Sequence, residues 1–150
     1  MIKRIVIAGS RDYNNYDEAK NYIDFCISRI RKNYDIIIVS GGCRGADMLG
    51  ERYAKENGFK IERYPALWEK YGKSAGPRRN RQMAEISDYI ICFWDGKSSG
   101  TKSMIMVIES RNSVYLHCFD TKSLIWSQIF YKNLSIPIAM DIGKIKFLQI

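Results

Sequence analysis

The chain is poor in the groups that do most enzymatic and metal chemistry. One histidine, His117, stands in 150 residues, and no Ser-His-Asp set is read around it. The four cysteines (Cys26, Cys43, Cys92, Cys118) form no CxxC and no Cys/His pair at metal spacing, which predicts no zinc and a reduced compartment. Prolines number three and are isolated. No apolar run approaches the roughly 18–20 residues needed to span a bilayer. Met1-Ile2-Lys3-Arg4-Ile5 enters a strand pattern directly and lacks the layout of a signal peptide. The expectation is a cytoplasmic protein with no membrane segment, no metal and no cofactor. Neither the Gly-Lys-Ser/Thr ending of a Walker loop nor a GxGxxG dinucleotide fingerprint occurs.

What is present is glycine in clusters and an excess of positive charge. Net charge is +8, a balance that suits phosphate-bearing ligands or nucleic acid, or simply a basic surface. The lysines are scattered, and the one dense basic cluster is Arg78-Arg79-Asn80-Arg81. Hydrophobic residues make up 46 % and charged residues 27 %, a globular balance in a chain long enough to bury a core.

The densest signal is Ile36–Asn57. A β-branched apolar run, Ile36-Ile37-Ile38-Val39, reads as a strand buried on both faces. Gly41, Gly42 and Gly45 follow. Then Ala46, Leu49, Gly50, Tyr53 and Ala54 mark one face of a helix that Gly58 stops. A glycine-rich loop leading into a helix N-terminus aims backbone N–H groups at an anion. A tight turn with no ligand uses the same residues.

The same alternation runs through the chain. Strands are predicted at Lys3–Ala8, Asp35–Ser40, Lys60–Tyr64, Tyr89–Trp94 and Val114–His117. Helices are predicted after an Asn15/Glu18 capping box to about Arg31, over Ala46–Asn57, from Gly76-Pro77 to Ser87, and over Lys102–Ser110. Pro65–Gly76 reads as a loop. This order predicts an α/β fold: a Rossmann-like three-layer sandwich with a central, mainly parallel sheet, plus a C-terminal extension. The expected division is a ligand-binding domain over 1–118 and an extension over 119–150 that packs on the sheet or on a dimer partner. Within the extension, Leu124–Lys132 reads as a short helix, and Ser135–Met140 and Lys144–Ile150 as strands.

Ligands in such sheets bind beyond the carboxyl ends of the strands. Three loops fall there: Gly9–Tyr13, Gly41–Asp47 and Asp95–Thr101. The candidate ligand-binding residues are therefore Gly9, Ser10, Arg11, Gly41, Gly42, Arg44, Gly45, Asp47, Arg79, Asn80, Gly96, Ser98, Ser99, Gly100 and Thr101. Arg11 and Arg79 carry guanidinium groups that fit phosphate bidentately. Asp47 sits in a helix first turn, where it complements the dipole or contacts a ribose or base. Ser98-Ser99-Gly100-Thr101 has the composition of a phosphate cradle. Trp68, Tyr71 and Trp94 are candidates for stacking on a base, or core residues. His117 reads as structural, and no catalytic residue is assigned.

Taken together, Gly9-Ser10-Arg11-Asp12, Gly41-Gly42-x-x-Gly45-Ala46-Asp47, Trp68-x-x-Tyr71-Gly72-Lys73-x-Ala75-Gly76-Pro77-x-Arg79-Asn80-x-x-Met83 and Gly96-x-x-x-Gly100-Thr101 resemble the YspA-type branch of the SLOG superfamily. The resemblance covers about residues 1–117. It implies a Rossmann-like domain that binds a nucleotide or nucleotide-derived molecule, NAD- or ADP-ribose-related ligands included, as a sensor or a sequestering protein. Two related branches imply alternatives. The LOG (lysine-decarboxylase-like) phosphoribohydrolases cleave nucleoside monophosphates. The DNA-processing protein A family binds single-stranded DNA. The LOG motifs are similar to Arg79–Met83 and to the turn at Gly100-Thr101, but their acidic position falls here on Met104, which argues against that hydrolysis. Pairing within the superfamily, and the apolar tail, make a homodimer the expected assembly.

Overall fold

The structure is a computed structural model, and it describes residues 1–28, 30, 33–109, 115–122 and 126–130. The order of elements is β1 (Ile2–Gly9), α1 (Tyr16–Ser28), β2 (Asp35–Ser40), α2 (Ala46–Glu56), β3 (Lys60–Arg63), α3 (Trp68–Tyr71), a 3-10 turn (Gly72–Ser74), α4 (Ala75–Ile86), β4 (Tyr89–Trp94), α5 (Ser99–Glu109), β5 (Tyr115–Asp120) and β6 (Trp126–Phe130).

The strands form one sheet in the order β3-β2-β1-β4-β5-β6. The first five are mutually parallel, with Ile5 opposite both Ile38 and Tyr89. β6 runs antiparallel to β5, pairing Trp126 with Phe119. Alternation along β1 divides the core. Ile5 and Ile7 face α1 and α2, where Tyr22, Ile23, Cys26, Tyr53 and Ala54 close over them together with Phe93 and Phe119. Val6 and Ala8 face α4 and α5, against Met83, Ala84, Met104 and Ile105. The result is the expected α/β three-layer arrangement, with α1 and α2 on one face and α4 and α5 on the other. Gly50 belongs to this packing, because a Cβ there would lie 2.7 Å from the Ile7 side chain.

Local chemistry explains several boundaries. Asn15 Oδ1 accepts the Glu18 N–H at 3.2 Å, which is one arm of the expected capping box. The other arm is diverted, since Glu18 accepts the Tyr13 hydroxyl at 2.7 Å instead. Gly58 ends α2 at φ +68.

Five expectations change. Pro65–Gly76 is not all loop, because it holds α3 and a 3-10 turn that runs straight into α4. Helix α4 consequently starts at Ala75, with Pro77 inside its first turn, where a missing N–H costs no intrahelical bond. Helix α5 starts at Ser99 rather than Lys102, so Ser99-Gly100-Thr101 are its first turn. Residues 126–130 form a strand, not part of a helix. Five apolar-rich residues beside an unpaired strand edge gain ladder hydrogen bonds as a strand, and so short a run has no intrinsic helical preference to oppose this. The fifth strand extends to Asp120 and carries Phe119 into the core, so the sheet continues past residue 118. The readings at 110–114, 123–125 and 131–150 lie outside the described residues.

Candidate functional site

Strands β1 and β4 are neighbours, yet β1 leads to a helix on one face of the sheet and β4 to a helix on the other. The loops leaving their carboxyl ends diverge, and such a switch point opens a crevice. A cavity of about 640 Å³ lies there, walled by the β1 loop, the start of α2, α3 to α4, and the β4–α5 loop.

Of the expected site residues, Gly9, Ser10, Arg11, Arg44, Asp47, Arg79, Asn80, Ser98, Ser99, Gly100 and Thr101 line this cavity. Gly41, Gly42, Gly45 and Gly96 do not line it. A Cβ on Gly41 would lie 2.3 Å from Arg79 Nη1 and 2.8 Å from Asp47 Oδ2. Gly42 N–H is bound to Ser40 Oγ at 3.0 Å. Gly45, at φ +80, is pressed under the β1 loop, where a Cβ would lie 2.4 Å from the Ser10 carbonyl oxygen. Gly41 and Gly45 serve close packing of loop on loop, whereas a Cβ on Gly42 would meet nothing within 4 Å.

Arg79 and Asn80 are likewise engaged within the protein. Arg79 Nη1 donates to the Gly41 carbonyl at 2.6 Å and Nε to Asn80 Oδ1 at 3.0 Å. Asn80 Nδ2 donates to the Gly100 carbonyl at 3.2 Å. Two residues in the second turn of α4 thus tie the β2 loop to the first turn of α5. The Asp47 carboxylate, 5 % exposed, accepts the Cys43 N–H at 3.2 Å. Burial pushes its pKa up to about 6, against the opposing pull of the Cys43 N–H and the Arg79 charge.

The β4 loop is built differently. Asp95 Oδ1 accepts the N–H groups of Lys97 and Ser98 at 2.8 and 2.7 Å, and the Ser98 N–H in particular holds its carboxyl below the usual range. This Asx turn presents the start of α5 to the cavity. Ser98 Oγ and Thr101 Oγ1 lie 3.2 Å apart. The first-turn N–H groups of α5 have no intrahelical acceptor, and a Cβ on Gly100 would meet nothing within 4 Å. Ser10, which lines the same cavity, is 5 % exposed and its Oγ has no hydrogen-bond partner.

Sequence reasoning left several lining residues out of the site: Lys73, Lys97, Cys43, Asp12, Asp95 and Met104. Trp68, a stacking candidate, lines it as well. Lys73 sits in the family-like Trp68–Met83 stretch, which was the signal available for it. Met104, 1 % exposed, stands in the cavity wall. Among the described residues, no group of three His, Cys, Asp or Glu side chains is placed to hold a metal ion, and no helix is long and apolar enough to cross a membrane.

Comparisons with known proteins agree with the fold. The chain is 34 % identical over 107 residues to the Gene 61 protein of Mycobacterium phage D29, covering 67 % of this chain and 84 % of that one. Two solved structures share the fold. One is DNA processing protein A (DprA) from Streptococcus pneumoniae, with TM-score 0.57, 18 % identity, 83 % of this chain and 53 % of that chain. The present chain therefore spans about half the length of DprA. The other is TM1055, a structural-genomics target, with TM-score 0.52, 16 % identity, 73 % of this chain and 69 % of that one. The sequence profile of the YspA, cpYpsA-related SLOG family matches residues 3–71. The chain belongs to the YspA, cpYpsA-related SLOG family, a membership that suggests nucleotide-related binding or processing.

Proposed function

We propose that this protein binds a nucleotide or nucleotide-derived small molecule, of the NAD- or ADP-ribose-related kind, and acts as a sensor or by sequestering it. A phosphate group would sit at the first turn of α5, with Ser98, Ser99, Gly100 and Thr101 on one side and Ser10 on the other. Arg11, Lys73 and Lys97 supply positive charge around it. The observation that carries this reading is Ser10 Oγ. A buried hydroxyl without a partner carries an uncompensated desolvation cost, and this one belongs to a residue lining the same cavity as a helix N-terminus. A phosphate oxygen there would accept its hydrogen bond and complement the helix dipole.

Ser10→Ala tests it. The unliganded variant should melt at the wild-type temperature or above, because an unsatisfied group has been removed. Its affinity for ADP-ribose or adenosine monophosphate, read by calorimetry, should fall roughly tenfold, the worth of one hydrogen bond to a charged group. Unchanged affinity would sink the phosphate placement.

One observation favours a second reading, a nucleotide-processing hydrolase. Asp47 is a cavity carboxyl whose pKa, about 6, suits proton transfer near neutrality. Against it, Met104 occupies the wall with no carboxylate. Incubation of bound ligand with protein, followed by chromatography, separates the two: intact ligand supports the sensor, and release of base or phosphate supports the hydrolase. The third expectation, nucleic-acid binding through the +8 charge, predicts affinity that falls steeply with salt. The cavity geometry adds nothing to it.

A further inference from the structure

Three aromatic residues were candidates for stacking on a base, and the fold separates them. Trp94 donates its indole N–H to the Ser98 carbonyl at 3.1 Å and packs on the core beside α4 and α5. Tyr71 lies in a neighbouring concavity, where the Arg78 guanidinium stands 4.4 Å from its ring centre and the Lys70 ammonium 5.0 Å. Trp68 alone of the three lines the main cavity.

Its setting is unusual for a tryptophan. The side chain opens a four-residue helix, α3, and the residue is 50 % exposed. Its benzo edge rests on the first turn of α4, where a Cβ on Gly76 would lie 3.2 Å from Cη2. Alanine is the better helix former at such a position, so glycine there serves the approach of the ring. The indole is thus held at one edge against the helix while half its surface stays uncovered beside the cavity.

The remaining walls define what would cover it. Ala8, Met83 and Met104 give an apolar floor, and Arg11, Lys73 and Lys97 give a cationic rim. The matching ligand has a flat apolar face and an anionic end. We infer that Trp68 is the base-stacking platform of this cavity, so the ligand is a nucleotide that retains its aromatic base rather than a bare sugar phosphate or inorganic phosphate. This inference rests on the phosphate placement proposed above and adds the opposite end of the molecule. Every base has a π-face, so a stacking platform tolerates different bases.

The test compares adenosine monophosphate, ADP-ribose and ribose 5-phosphate as probes, by calorimetry, on wild type, Trp68→Ala and Trp68→Phe. Thermal melts establish that each variant is folded. Trp68→Ala should weaken both base-bearing probes by about tenfold or more, the usual worth of a stacked base, and leave ribose 5-phosphate within about twofold. Trp68→Phe should retain most of the affinity, because a ring remains. Base-bearing probes should quench wild-type tryptophan fluorescence, and the quench should vanish in Trp68→Phe although binding persists. Equal loss for all three probes, or no loss for any, overturns the platform while leaving the phosphate site standing. Wild type that binds none of the three overturns both, and the Ser10→Ala comparison then has no binding to lose.

Discussion

Two strand-to-helix loops in this protein look alike in composition and differ in construction. The loop between β2 and α2 holds Gly41, Gly42 and Gly45, and the loop between β4 and α5 holds Gly96 and Gly100. In the first, Gly41 and Gly45 are closed over from within, and Gly42 alone of the three has open space where a Cβ would stand. Arg79 and Asp47 fill the space above Gly41, Ser40 takes the Gly42 N–H, and Asp47 takes the Cys43 N–H. In the second, neither glycine has an atom within 4 Å of where a Cβ would stand, and the hydroxyls of Ser98 and Thr101 share a helix N-terminus. Glycine thus serves two different ends. Gly41 and Gly45 let parts of the protein approach each other, and Gly96 and Gly100 leave room beside the backbone.

Substitutions can break that contrast. The largest effect is expected at Gly45, where alanine meets both a positive φ and a backbone oxygen. Gly45→Ala should lose roughly 3 kcal/mol of stability, measured as a fall in the urea midpoint. A loss no greater than that of Gly100→Ala would dissolve the distinction between the loops.

Asp47 gives the next effect, and its sign follows from its pKa. The native carboxyl binds its proton more tightly than the unfolded one, with a pKa of about 6 against 3.8. Its contribution is therefore most favourable below about pH 4 and is lost as pH rises through 4 to 6. The shift corresponds to roughly 3 kcal/mol at neutrality. Asp47→Asn, which keeps an acceptor for the Cys43 N–H, should be more stable than wild type at pH 7. The gap should close towards pH 4. Denaturation series at several pH values would show it, and a pH-independent gap would assign the effect to packing instead.

Gly100→Ala should shift stability by under about 1 kcal/mol, in the stabilising direction, because alanine favours the helix. The same methyl group intrudes on the cradle, so ADP-ribose affinity should fall in a variant that melts no lower than wild type. Last, Asp12→Ala removes the partner of Arg44 at 3.4 Å, a pair with side chains 95 % and 76 % exposed. Exposed pairs of this kind contribute almost nothing to stability, and the melting temperature should not move. A clear drop would mean that the cavity rim is more rigid than its exposure implies.

Much of the scaffold is legible because its signals are local. Asp35–Ser40 and Tyr89–Trp94 emerge as strands at the residues expected, since continuous β-branched and aromatic runs belong to buried parallel strands. The 3.6-residue stripe of α2 and the stop at Gly58 are equally direct. Helix starts were less legible. Ser99-Gly100-Thr101 has loop composition, and in the fold it follows the Asx turn at Asp95 as a helix N-terminus. Trp126–Phe130 has the composition of either state, and the exposed edge of β5 decides it.

The sequence by itself determined the alternation of elements, the two-faced core and the positions of the strand-end loops. All of these follow from periodicities within a few neighbouring residues. It did not determine which loop is open. That depends on contacts such as Arg79 to Gly41, 38 residues apart, and Asn80 to Gly100, 20 apart. The same holds for the three aromatics, whose rings are alike in sequence and are sorted only by where α3, α4 and the β4 loop come to rest. A side chain's partners are set by tertiary packing, and until packing is complete an arginine that clamps a loop and one that faces a phosphate read the same.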